Sequence, residues 1–239
     1  MVDAESTCAQ CNGSGWIARP GSLDAEPCSC QKEMKRKQRV SAARVPKRYL
    51  HCSLAGFHER NDYSLAAAKR RVAEFVDCWP AEDRGLLLMG GCGTGKTHLA
   101  VAALLEIIAQ EKPGKLMFRN FQELVQDLQS SFDSNDVPKK GEILQPLLQA
   151  DLLVLDELGS QKPTAFVQDT LYYIINSRYN DVRATIFTSN YLDEPREAKD
   201  EKLEERIGSR LRSRLWEMTT PVVITARDDY RQTVAGRGI

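Results

Sequence analysis

From Gly85 onward, short continuous apolar runs alternate with amphipathic stretches, and that alternation predicts strands joined by helices. The strands expected are Gly85–Met89, Lys115–Arg119, Leu152–Leu155, Ala184–Thr188 and Val222–Thr225. Runs with no polar alternation suit strands covered on both faces, so the fold class expected is α/β, with a five-stranded, mostly parallel sheet and a helical C-terminal part. A helical period also spans Ser64–Val76, and residues 130–140, SSFDSNDVPKK, read as a surface segment between two helices.

Upstream of residue 31 this pattern is missing. The first thirty residues hold four of the seven cysteines and five Gly or Pro (Gly13, Gly15, Pro20, Gly21, Pro27), too little apolar matter for a core. Residues 31–48 then carry eight Lys or Arg against one Glu and read as a basic helix and linker ended at Pro46. The divisions expected are a cysteine-rich module over 1–31, a basic helix and linker over 32–58, and an α/β domain over 59–239.

A chain of 239 residues with 42% hydrophobic side chains can support one such domain and a small appendage. Lys and Arg total 33 against 33 for Asp and Glu, so a nucleic-acid contact has to come from local patches. No apolar run approaches the roughly 20 residues needed to cross a bilayer, which predicts no membrane association. The polar start MVDAESTCAQ shows no export signal, so the expected address is cytoplasmic and the cysteines are expected as thiols or metal ligands.

Residues 90–97, GGCGTGKT, match G-x-x-x-x-G-K-[ST] between an apolar strand and the helical run THLAVAALLEIIAQ. In that setting Gly90, Gly91, Cys92, Gly93, Thr94 and Gly95 curl their backbone around phosphates, Cys92 through its amide rather than its thiol, and the helix adds its positive end. Lys96 reaches the β- and γ-phosphates of ATP, and the Thr97 hydroxyl ligates Mg²⁺. His98 follows directly and belongs to the same stretch, although no motif requires it for proton transfer.

The strand Leu152–Leu155 ends in Asp156-Glu157, two acids at the edge where ligands of open α/β sheets bind. Asp156 is expected to help hold Mg²⁺ and Glu157 to orient or deprotonate the attacking water. The fourth strand, ATIFTSN, ends in Asn190, a candidate for sensing the γ-phosphate or lytic water, although Ser-Asn is also good turn chemistry. Arg206, Arg210, Arg212 and Arg214 crowd one segment, with Arg206 and Arg210 expected on one helical face. They suit either an anionic partner or a solvated face paired with Glu204, Glu205 and Glu217.

Cys8-x-x-Cys11 and Cys28-x-Cys30, with sixteen residues between the pairs, can converge on one tetrahedral Zn²⁺, which would substitute for the absent core. The second pair departs from C-x-x-C, so His51 or Cys52 stands as an alternative ligand, and reduced or redox-active thiols as an alternative to metal.

In order, GGCGTGKTHLA, LLVLDELG, TIFTSN, ERIGSRL and DDYR resemble the AAA+ P-loop NTPase core of the DnaC, DnaI and IstB-like group, over roughly residues 45–235. The resemblance implies an ATPase acting as a homo-oligomer, with Arg210 as a finger presented in trans and Arg231 as a sensor contacting its own subunit's nucleotide. It also implies a helical insertion at about Asn120–Ala150 used for single-stranded DNA, here containing Phe121, Phe132, Lys139 and Lys140 but also five acids. DnaI-type loaders are similar in carrying an N-terminal zinc module. The task implied is loading or remodelling a DnaB-like replicative helicase on single-stranded DNA. An IstB-like ATPase assisting a transposase, and a module that binds ATP without hydrolysing it, are the alternatives.

Overall fold

The computed structural model describes residues 8–19, 21, 24–81, 83–131, 139–194, 200–226 and 229–230. At the N-terminal end β1 (Trp16–Ala18) pairs antiparallel with β2 (Ala25–Pro27), and α1 (Ser29–Ala42) follows. The basic helix therefore stops short of Pro46. Arg44 takes a positive φ of 55°, and a 3-10 turn at Lys47–Tyr49 starts after the proline. No residue of α1 is buried, but Arg39 anchors the helix by donating to the Lys112 carbonyl at 2.6 Å.

The segment after α1 is more than a connector. Ala43, Cys52 and Phe57 are buried in the main core, so residues 43–57 form a strap across the domain. The strap leads to α2 (Tyr63–Cys78), whose first turn is capped by Asp62 accepting from the Ser64 and Leu65 amides.

The domain then alternates β3 (Gly85–Gly90), α3 (Lys96–Ala109), β4 (Leu116–Asn120), α4 (Phe121–Ser130), α5 (Lys140–Gln149), β5 (Leu152–Asp156), α6 (Ala165–Asn180), β6 (Ala184–Ser189), α7 (Leu203–Ile207), α8 (Ser209–Met218) and β7 (Thr219–Ile224). All five of these strands pair in parallel, in the order β4-β5-β6-β3-β7. At the outer edge of β4, the Phe118 amide donates to Ala43 of the strap at 2.8 Å, so part of that edge is covered.

Side-chain alternation along the strands builds two cores. Leu86, Leu88, Val154 and Ile186 face α2 and α3, whereas Leu87, Met89, Leu153, Leu155 and Phe187 face α4, α5, α6 and α8. Ala100, Ala102 and Ala103 keep α3 slim, and every residue from Leu99 to Leu104 is buried between neighbours. No helix among the described residues is long and apolar enough to cross a membrane.

Three expectations change. β7 starts at Thr219 rather than Val222, because Pro221 is tolerated inside a strand that pairs on one side only. Gly208, at φ 85°, breaks the arginine segment into α7 and α8, so Arg206 and Arg210 share no helical face. Phe121 is fully buried and has no ring face for a nucleic-acid base; Phe132 lies outside the described residues, and Lys139 and Lys140 are exposed at the start of α5.

Arg178, 1% exposed near the end of α6, ties three elements together through neutral acceptors, with Asp151 and Asp181 acting on it only through their charge among the described residues. Its guanidinium donates to Thr185 Oγ1 (2.9 Å) and to the carbonyls of Leu147 (2.6 Å), Ala150 (2.8 Å) and Ala184 (2.6 Å). Burial lowers its pKa to about 9. Arg178→Ala leaves several buried carbonyls without a donor, each costing about 1–3 kcal/mol. The expected loss is roughly 3–5 kcal/mol in urea unfolding; a loss under about 1 kcal/mol contradicts this role.

Candidate functional site

The chain turns from β3 into α3 through the glycine-rich loop, and two glycines make the turn possible. Gly93 (φ 69°) and Gly95 (φ 94°) are left-handed, and a Cβ on Gly95 would sit 2.6 Å from the Phe57 ring. Gly95 caps α3 without a side-chain hydrogen bond, so the positive end of the helix faces the loop where an anion would bind. Lys96, 7% exposed, folds under the loop and donates to the carbonyls of Gly90 (2.9 Å) and Gly91 (2.7 Å).

Thr97, one residue on, reaches across to β5. Its hydroxyl donates to Asp156 Oδ1 at 2.8 Å, and Thr188 at the end of β6 donates to the same oxygen at 2.6 Å. The strand order explains this meeting, since β6 lies between β3 and β5 and all three end at one edge. Asp156 is 2% exposed. Burial raises its pKa; the hydroxyls of Thr188 and Thr97 oppose that, neighbouring Glu157 adds to it, and Lys96 pulls it down.

Glu157 adopts a positive φ of 61°, a conformation costing a non-glycine residue on the order of 1–3 kcal/mol. Its amide is held by Thr188 Oγ1 at 2.9 Å, and its carboxylate accepts from Asn120 Nδ2 at 2.9 Å. Asn120 thus tethers the second acid, a role that sequence reading missed. Its position at the end of β4, in register with Asp156, is what brings it there, and that register is a tertiary fact the local sequence does not show.

Above the loop lies a cleft of about 350 Å³, lined by Cys92–His98, Glu157, Thr188, Asn190, strap residues including Tyr49 and Phe57, the following His58, and Tyr230. Asn190 is exposed in that lining, and Thr188 makes the contact to the acid. The strap was read as linker, and its aromatic side chains were the only hint that it roofs the site. His98 is joined to the Ser53 carbonyl through Nε2 at 2.9 Å, and burial lowers its pKa, favouring the neutral ring.

Arg210 does not line this cleft; its guanidinium sits 5.6 Å over the Tyr172 ring, with Arg214 at 4.8 Å. Arg206 donates to the Gly159 carbonyl at 2.9 Å and pairs with Glu201 at 3.2 Å. Arg212 pairs with Asp193 at 2.9 Å. Arg231 lies outside the described residues, but the preceding Tyr230 amide donates to Gly93 of the loop at 3.1 Å.

The donor sets fit the groups expected. A hydroxyl and a carboxylate converging at 2.8 Å form a hard oxygen pair suited to Mg²⁺, next to a loop whose left-handed glycines leave room for phosphate. At the N-terminal module Cys8 and Cys28 Sγ lie 3.8 Å apart and Cys11 and Cys30 Sγ 3.5 Å, with all four within 4.8 Å of one another. A Zn–S bond of about 2.3 Å gives a tetrahedral edge of about 3.8 Å, so the four thiols match zinc. His51 and Cys52 stand apart from that set, beside His98, and neither replaces a cysteine there.

The family model described as IstB-like ATP binding protein matches residues 25–231. The replicative helicase loader DnaC of Buchnera aphidicola subsp. Schizaphis graminum is 27% identical over 227 residues, covering 92% of this chain and 86% of that protein. The Escherichia coli K12 protein of the same name is 23% identical over 220 residues, covering 92% and 83%. A crystal structure of the DnaC helicase loader superposes with a TM-score of 0.65 at 34% identity, over 75% of this chain and 99% of that one.

The raised pKa of Asp156 has a sign that can be measured. The unfolded chain releases this proton at the ordinary carboxylate pH, whereas the folded chain holds it to a higher pH. Stability from this group is therefore present in acid and lost as pH rises through the unfolded value to the raised one. Asp156→Asn, which keeps the oxygen that accepts from Thr97 and Thr188, is expected to melt no lower than the parent at neutral pH, with any gain shrinking in acid. A clearly lower melting temperature at neutral pH contradicts the assigned burial cost.

Proposed function

The chain belongs to the IstB-like ATP binding protein family, and from that premise we propose that it is a magnesium-dependent ATPase that opens or holds a replicative-helicase ring for loading onto single-stranded DNA. The helicase assignment is supported by relatives named replicative helicase loader that align with 92% of the chain. The observation that carries the ATPase assignment is the junction of Thr97, Asp156 and Thr188 at the carboxyl edge of the sheet, with Glu157 tethered beside it.

Each residue has a part. The amides of Gly91–Gly95 and the first turn of α3 bind the phosphates, and Lys96 exchanges the Gly90 and Gly91 carbonyls for phosphate oxygens. Thr97 and Asp156 hold Mg²⁺, which supplies charge neutralisation at the phosphates. Glu157, released from Asn120, takes a proton from water as its oxygen attacks the γ-phosphorus; the bond to the β–γ bridging oxygen breaks, giving ADP and inorganic phosphate. Asn190 faces the same reaction from the neighbouring strand. Because Arg210 lies away from its own cleft, over Tyr172, a trans position in a homo-oligomer suits it. Arg231 is assigned to the nucleotide of its own subunit.

The four cysteines of residues 1–31 hold Zn²⁺ in this proposal, and the ATPase domain, 59–239, takes the strap of the preceding segment 32–58 into its core. The whole protein works in the cytoplasm. A transposase partner is the competing reading, since the matched family model is the IstB-like one.

Lys96→Ala is expected to abolish ATP binding in equilibrium dialysis. Arg210→Ala keeps binding but loses about 10³-fold or more in turnover in the assembled form; unchanged turnover there excludes the trans finger. Pull-down with ATP is expected to retain a DnaB-like helicase. Capture of a transposase instead reverses the partner assignment, and tight ATP binding without hydrolysis in the presence of helicase and single-stranded DNA would leave a binding module.

A further inference from the structure

Apart from the four cysteines, the described residues hold one other histidine–cysteine cluster, formed by His51, Cys52 and His98. Two of its members come from the strap and the third from the first turn of α3, so chain segments distant in sequence meet there. One donor atom from each lies within 4.8 Å of the others, and all three residues line the cleft beside the phosphate loop.

Two imidazoles and a thiol are a borderline-soft set that selects zinc-like transition metals rather than the oxygen-seeking Mg²⁺. The outer bonding suits ligation as well. His98 Nε2 is spent on the Ser53 carbonyl at 2.9 Å, which fixes the tautomer and leaves Nδ1 with the free lone pair, as metal-binding histidines are commonly arranged. Cys52 is buried and His51 exposed, so closing the set to bonding distance moves mainly an exposed ring. Packing accounts for part of the arrangement, since the His51 and His98 rings meet edge-on with centroids 6.3 Å apart, but it does not require a thiol between strap and helix.

We propose that His51, Cys52 and His98 form a second transition-metal site, taking Zn²⁺ or Co²⁺ through three protein ligands and leaving one coordination position for water or a ligand in the cleft. A metal held there cross-links the strap to the helix that follows the phosphate loop. This site is separate from the pair of oxygens assigned to Mg²⁺ and from the four-cysteine module.

The full chain, loaded with zinc at the cysteine module, is titrated with Co²⁺ in the absence of nucleotide and Mg²⁺, so that the outcome is independent of the ATPase reading. A further equivalent of cobalt is expected to bind, with thiolate-to-cobalt charge-transfer and tetrahedral ligand-field bands. Cys52→Ser removes the charge-transfer band, and His51→Ala, at an exposed position, weakens cobalt binding by roughly 10–100-fold or more. Should Cys52→Ser fail to fold, His51→Ala alone decides. The proposal is overturned if no further equivalent binds, if the bands persist in Cys52→Ser and so belong to the cysteine module, or if His51→Ala binds cobalt like the parent.

Discussion

The shared hydrogen bond at Asp156 is the constraint on which the rest depends. A carboxylate 2% exposed is costly to keep charged, and two threonine hydroxyls, one from the first turn of α3 and one from the end of β6, offset that cost. Thr97, in the first turn of α3 after the β3 loop, and Thr188, at the end of β6, can meet there only because β6 runs between β3 and β5 and all three strands are parallel and end together. The continuous apolar runs that bury those strands on both faces are therefore a condition of the site as much as of the fold. The strained backbone of Glu157 belongs to the same junction, because the Thr188 oxygen that accepts its amide is the one whose hydrogen goes to Asp156.

Around that junction the elements differ in how deeply their side chains are buried. α3 and the sheet are locked by packing, and Arg178 fastens the far end of the sheet to α5 and α6 through backbone carbonyls. The strap at 43–57 roofs the cleft with fewer buried side chains, and it also covers part of the open edge of β4. The strap thus touches both the cleft and a sheet edge, and α1 with the cysteine module directly precedes it in the chain.

Much of this was legible in the sequence because burial on both faces leaves a plain record: all five strands were found within three residues of their ends, and the loop GGCGTGKT lies where its motif demands. What escaped reading depended on contacts between segments distant along the chain. Nothing local distinguishes Asn120, which caps α4 and also holds Glu157, from any other helix cap. Thr188 reads as an ordinary strand residue, yet it touches Asp156, while the more conspicuous Asn190 is exposed in the cleft lining. Pro221 concealed the start of β7 because edge position is a tertiary fact, and Gly208 divides the arginine segment where spacing alone joined Arg206 to Arg210. The strap was hidden by its basic neighbours: eight cations in residues 31–48 suggested a solvated linker, although Ala43 and Cys52 sit in the core.

Nucleotide binding at the phosphate loop precedes every other step, and calorimetric titration of the purified chain with ATP, with and without Mg²⁺, tests it most directly. Saturable binding of one nucleotide per chain, tightened by magnesium, is the result expected from the arrangement of Lys96, Thr97 and Asp156. No saturable binding, or binding indifferent to magnesium, would contradict it.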